Sequence, residues 1–187
     1  ITEDRPIRVA VPVNLRPYFD SITTKNFFVM VSAEFAPQKD EYTFAEILAI
    51  TKDSLRAQIN KEHLEKIFSY NVSNEQMVVA RAVPLFLKNL AMRLVYTQSA
   101  LANTTTVTNI GNIKVEKAYE PYIQTFHSFL SFSKGQSLKA TITSYQDTLT
   151  YTYTSAWQDT AIQRRVFRQI AQDGVDVRIE TNGVYYE

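Results

Sequence analysis

The sequence predicts an α/β fold, a two-layer sandwich in which helices cover a mixed β-sheet. Three observations lead there. Short β-branched runs such as Ile7 to Asn14 exchange along the chain with helix-period segments such as the one after Thr43. The last third carries two strictly alternating runs joined by a turn, Leu138 to Thr143 and Leu149 to Tyr153. Finally, 187 residues at 45% hydrophobic content, with four glycines, six prolines and no low-complexity tract, can bury one sizeable core, so residues 1–187 read as a single domain.

Taken in order, Ile7 to Asn14 reads as a strand that ends at the turn marked by Pro17 and Asp20. Asn26 to Phe35 is apolar on both faces, which predicts a central strand. Thr43-Phe44-Ala45-Glu46 makes a capping box, and the helix behind it places Phe44, Ile47, Leu48, Leu55 and Ile59 on a sheet-facing side. A second helix is expected from Lys61 to Tyr70. Ser73-Asn74-Glu75-Gln76 then opens a helical segment to about Ser99, split or kinked by Pro84. Val107 to Val115 turns β-like. Tyr145-Gln146-Asp147-Thr148 supplies the turn of the late hairpin. Asp159 can cap a helix bearing Ile162, Val166, Phe167 and Ile170, with Gly174 as its left-handed stop. Val175 to Ile179 closes as a short strand.

Composition narrows the function classes. Twenty basic against nineteen acidic side chains leave a charge of +1. No run of like charges stands out, so a nucleic-acid partner gets no support. No apolar stretch reaches the length of a membrane span. With no cysteine, disulfides, thiolate metal sites and cysteine nucleophiles are excluded, which suits a cytoplasmic protein. Ile1 begins the chain without a methionine or signal-peptide pattern, so it reads as an excised or processed piece. There is no glycine-rich phosphate loop and no His/Glu metal spacing.

Two stretches carry more. Val11-Pro12-Val13-Asn14-Leu15-Arg16 is followed by Asn26-Phe27-Phe28, and far downstream comes Thr108-Asn109-Ile110-Gly111-Asn112-Ile113. Ser144-Tyr145 and a terminal helix-strand unit from Asp159 to Asn182 complete the set. In this order the motifs resemble bacterial alcohol acetyltransferase-like proteins. More distantly they are similar to plant BAHD acyltransferases, wax ester synthases and nonribosomal condensation domains. A histidine with an aspartate four residues on, the catalytic signature of that superfamily, is absent: His63 is followed at that distance by Ile67 and His127 by Ser131.

The resemblance implies one lobe of the chloramphenicol acetyltransferase-like fold, the C-terminal lobe of a two-lobed CoA-dependent acyltransferase. Its partners would be the N-terminal lobe of the same polypeptide, acyl-CoA as co-substrate and an alcohol-type acceptor, with no covalently bound cofactor. The N-terminal lobe would bring the His-x-x-x-Asp histidine as general base. Site residues implied here are Asn14, Arg16, Asn26, Asn109, Gly111, Ser144 and Tyr145, none of them catalytic. Arg16 can anchor structure or contact substrate. In BAHD relatives an arginine at this place pairs with an aspartate, and the matching position here is Asn109, an amide that cannot form the bidentate ion pair. Gly111 can serve a positive φ, a close ligand approach or a plain β-bulge. Ser144-Tyr145 can sit near an oxyanion or be hairpin surface. Lys88, Arg93, Arg164, Arg165 and Arg168 could attract CoA phosphates, though mid-helix charges ordinarily sit on a solvated face. Two other readings stand beside this one. One is a non-catalytic binding or dimerisation module with the same fold, self-associating through its exposed face. The other is a trimeric single-lobe acetyltransferase, which would need a histidine after Asp159 that is not there.

Overall fold

A computed structural model describes residues 5–36, 41–76 and 83–182, with side chains outside 70–76 and 97–100. The fold is α/β: five strands form one mixed open sheet and four α-helices accompany it among the described residues. The strands are β1 (Ile7–Asn14), β2 (Phe28–Phe35), β3 (Thr105–Asn112), β4 (Leu138–Tyr145) and β5 (Thr148–Ser155). The helices are α1 (Phe44–Gln58), α2 (Lys61–Gln76), α3 (Leu85–Ala100) and α4 (Ala161–Gln172). Sheet order is β2-β1-β3-β4-β5, with β1, β3 and β4 parallel and the two outer strands antiparallel to their neighbours. No helix among the described residues is long and apolar enough to cross a membrane.

β2 is an edge strand, where the sequence predicts a central one. Its odd positions Val29, Val31 and Ala33 are buried, but Phe28 and Met30 on the other face are half exposed. Apolar residues on both faces therefore reflect an uncovered outer surface here, not burial on both sides. The edge is sealed by α1: the Gln58 amide donates to Ser32 O (2.7 Å), and Gln58 Oε1 accepts from Ser32 N (3.1 Å). An edge with its peptide groups satisfied cannot recruit another strand there.

The Thr43 capping box forms as expected, with Glu46 N donating to Thr43 Oγ1 and Thr43 N to Glu46 Oε2. The helix it opens docks by its C-terminal half, through Leu55, Gln58 and Ile59. Phe44, Ile47 and Leu48, expected on the sheet face, are exposed. The core around Leu15, Val29 and Leu64 lies where α2 crosses the β1–β2 end of the sheet. Phe27, Phe68 and Phe19 close it by ring contacts of 5.6 and 6.3 Å.

Helix α2 continues to Gln76, so Ser73 lies inside it and opens no new helix. The residues just after it, 77–82, lie outside the described ones. Pro84 stands at the start of α3, its carbonyl accepting from Leu87 N and Lys88 N, so of the two expectations it is the split and not the kink that forms: residues 83 and 84 are not helical. Its missing N–H costs nothing at that place. Strand β3 begins at Thr105, two residues before the predicted start, and ends at Asn112. Val175 to Ile179 forms no strand. Val175 and Ile179 are more than half exposed. Gly174 stops α4 at φ +86°, with Gly174 N on Ala171 O and Val175 N on Ile170 O, the two bonds of a Schellman end. Asp159 does not cap directly: Thr160 is the N-cap, and Asp159 Oδ1 accepts from Ala161 N.

Pairing across the register assigns side chains to faces. Tyr151 and Tyr153 share the face of Ile142, Ala140 and Val107, which continues to Val9 and Val31. Phe167 of α4 packs edge-on to both tyrosines, at 6.0 and 5.9 Å. The opposite face of the β4–β5 hairpin is covered by an extended strap, residues 125–128. Thr143 Oγ1 donates to Phe126 O, Thr152 Oγ1 to Ser128 O, and Phe126 meets Tyr145 edge-on at 5.1 Å.

Candidate functional site

The parallel strands β1, β3 and β4 end at one side of the sheet, and most of the motif residues gather there. In open α/β sheets, this carboxyl end is where crevices form. Here the sequence opens one. Arg8 O accepts from Thr104 N and Arg8 N donates to Thr104 Oγ1, so the even-numbered peptides of β1 face β3. The ladder between the two strands holds only Val9↔Thr105 and Ala10↔Thr106. The next β1 peptide due to donate is that of Pro12, which has no N–H. The strands part at that point.

At the end of β1, Asn14 Oδ1 accepts from Arg16 N (3.1 Å) and Arg16 Nη1 (3.3 Å). Arg16 Nη2 donates to the carbonyls of Thr23 (2.9 Å) and Lys25 (2.7 Å). The guanidinium thus staples the loop leading into β2. It makes no bond to Asn109, in place of the arginine pairing found in the BAHD relatives; Nη2 goes to this loop and Nη1 to Asn14. Asn26, the third motif residue of the region, is exposed.

Asn109 has its own local task. Its Oδ1 accepts from Gly111 N at 2.8 Å, and Gly111 takes φ +82°. The register to β4 steps from Asn109↔Ile142 to Gly111↔Thr143, so this is a β-bulge with Ile110 unpaired. An added Cβ on Gly111 would meet no protein atom within 4 Å, so the protein's own packing does not demand the glycine, while its backbone angle does. Past the bulge Asn112 pairs with Ser144, and Ile113 N donates to Ser144 O (2.8 Å).

Beyond these paired ends lies a cleft of about 350 Å³, lined by Asn112, Ile113, Lys114, Val115, Lys117, Glu120, Tyr145 and Gln146. Tyr145 is buried, not the hairpin surface that alternation allows, and its hydroxyl meets no partner among the described residues. Ser144, on the other face, is half-buried. Lys114 and Lys117 form no ion pair among the described residues and outnumber Glu120. The lining thus carries one net positive charge. Sequence reasoning named Tyr145 but missed Lys114, Lys117 and Glu120, which stand in an irregular stretch with no periodicity to mark them.

No histidine lines this cleft. His63 sits on α2, and His127 lies in the strap stacked on Phe129 at 6.4 Å. No group of three or more His, Asp or Glu side chains converges among the described residues. On the helix face, burial and then the Tyr151 hydroxyl, 3.2 Å away, push the Tyr153 phenol far above the usual tyrosine range. That pair is a neutral structural contact. No family model, curated protein or solved structure matches this chain.

Proposed function

We propose that this chain is the C-terminal lobe of an alcohol acetyltransferase-like, CoA-dependent acyltransferase, acting with a lobe that carries the His-x-x-x-Asp histidine. The parent enzyme would pass an acyl group from acyl-CoA to an alcohol by direct attack on the thioester, the missing histidine taking the alcohol proton. One observation carries the reading. Motifs that the resemblance links, on β1, β3 and β4, fall at a single end of one sheet, beside a crevice opened by Pro12 and a cleft with excess positive charge. A wall of this kind without a histidine is what one half of such a site would look like.

The isolated chain should then release no thiol above background from acetyl-CoA in the presence of a panel of primary alcohols. Turnover that disappears on changing His127 to alanine would sink the proposal. A second reading, a non-catalytic dimerisation module, draws on α3. There Leu85, Phe86, Leu90, Met92, Leu94 and Val95 are all more than half exposed. Sedimentation of the isolated chain separates the two. A stable dimer that no His-x-x-x-Asp lobe displaces favours the module; a complex with such a lobe that regains acyl transfer favours the enzyme.

A further inference from the structure

The two edges of the sheet are treated differently. Tyr145 and Thr148 pair across a two-residue turn, so their peptide groups bond each other and the even-numbered peptides of β5 face β4. Ala156 N on Ser137 O continues the same parity. The peptides of Leu149, Tyr151, Tyr153 and Ser155 therefore point outward, and none of them meets a partner among the described residues. On β2 the corresponding outward peptide of Ser32 is bonded through both its N–H and its C=O by Gln58. Among the described residues nothing comparable guards β5. Thr148–Ser155 contains no charge, no proline and no bulge, the usual devices that keep an edge from recruiting a strand.

The open edge is also held rigid. Phe167 clamps the rings of Tyr151 and Tyr153 from one face, and the strap ties Thr150 and Thr152 from the other. β5 itself then pays little ordering cost when a strand adds to it. Charge then selects the occupant. Helix α4, seated over β5 through Phe167, carries Arg164, Arg165 and Arg168, all exposed, and no acidic residue. None of the three forms an ion pair among the described residues.

We propose that the outer edge of β5 is a docking site for an extended acidic segment of another protein, added as a sixth strand to the sheet that the arginine-bearing α4 packs on. Main-chain bonds to Leu149, Tyr151 and Tyr153 give the affinity, and carboxylates on alternate residues of the guest give the selectivity. A second copy is the poorer occupant. Antiparallel pairing of two β5 edges keeps both α4 helices on one face and brings three arginines toward three more.

The test uses two capped eight-residue peptides, one alternating valine with glutamate and one alternating valine with lysine. Trp157, the chain's single tryptophan, is half exposed just after β5 and reports binding by its fluorescence. The glutamate peptide should bind saturably and the lysine peptide about tenfold more weakly or not at all. Backbone hydrogen exchange at Leu149, Tyr151 and Tyr153 should slow on binding, and a glutamate peptide N-methylated on alternate amides should fail to bind. Arg164→Glu with Arg165→Glu and Arg168→Glu should reverse the preference. Should that variant not fold, Leu149→Pro removes one outward donor from an exposed position and should still weaken the glutamate peptide. No binding by the glutamate peptide, binding without slower exchange at these three amides, or slowing that grows with protein concentration alone would each overturn the proposal. The last would assign the edge to a second copy.

Discussion

Gln58 offers the sharpest test of how α1 closes the sheet. Changing it to glutamate keeps the shape and the acceptor for Ser32 N. It removes the donor to Ser32 O (2.7 Å) and to Ser54 O (3.0 Å). Two lost bonds at about 0.5–1.5 kcal/mol each, in a half-buried place, predict about 2 kcal/mol of destabilisation. In a chain of this size that lowers Tm by roughly 4–8 °C. The pH dependence gives a second readout. The introduced carboxylate faces two carbonyl oxygens, so folding raises its pKa above the unfolded value near ~4.3. A group raised by folding contributes its stability below the unfolded pKa and loses it as pH rises. The gap between variant and parent should therefore be small at about pH 4 and full at neutral pH. Thermal melts followed by circular dichroism at both pH values check this. A variant that melts within about 1 °C of the parent at neutral pH would refute the edge seal as a source of stability.

Other outcomes follow from the same packing. Leu64→Ala should cost about 3–5 kcal/mol in urea unfolding, since Leu64 is fully buried against Leu15 and Val29. Leu90→Ala, on the exposed α3, should cost about 0.5 kcal/mol or less. Gly111→Ala should cost about 1–2 kcal/mol from its φ alone, while Gln146→Gly, relieving φ +51° at the hairpin turn, should gain about 0.5–1 kcal/mol. Denaturant midpoints read both signs. Arg16→Lys cannot span the Thr23 and Lys25 carbonyls together, so hydrogen exchange in the 21–26 loop should quicken with little change in global stability. The Tyr153 phenol is held neutral by burial and its Tyr151 contact, so stability should fall as pH climbs past the unfolded tyrosine value near ~10. Tyr153→Phe should move the alkaline unfolding midpoint upward.

What could be read from the residues was local. The Thr43–Glu46 box, the alternating β4–β5 hairpin and the Gly174 stop each rest on neighbours within a few positions, and each forms. Long-range pairing escaped. Phe28 and Met30 look like one face of a central strand, yet strand order is decided by which edges meet, and β1 rather than β2 lies inside. The apolar residues of α3 look like core by the same logic as Leu64, but nothing in the periodicity says that only one of the two helices finds the sheet. Val175 to Ile179 alternates like a strand and has no neighbour to pair with among the described residues.

The motif residues themselves tell a consistent physical story. Asn14 and Asn109 each turn a side-chain oxygen onto the amide two residues later, one at the end of β1 and one at the bulge of β3. Arg16 gives its donors to the loop before β2, and Gly111 supplies a backbone angle. The side-chain oxygens of Asn14 and Asn109 and the Nη atoms of Arg16 are engaged inside the chain, so these residues shape the crevice. Asn112, Lys114 and Lys117 line the cleft just past the Gly111 bulge, where Ile113 is pinned to Ser144. If the proposed acyl transfer is right, Lys114→Ala with Lys117→Ala should weaken the hold on an anionic co-substrate while leaving the fold intact. Substitution of Asn14 or Asn109 should damage the fold before it touches binding.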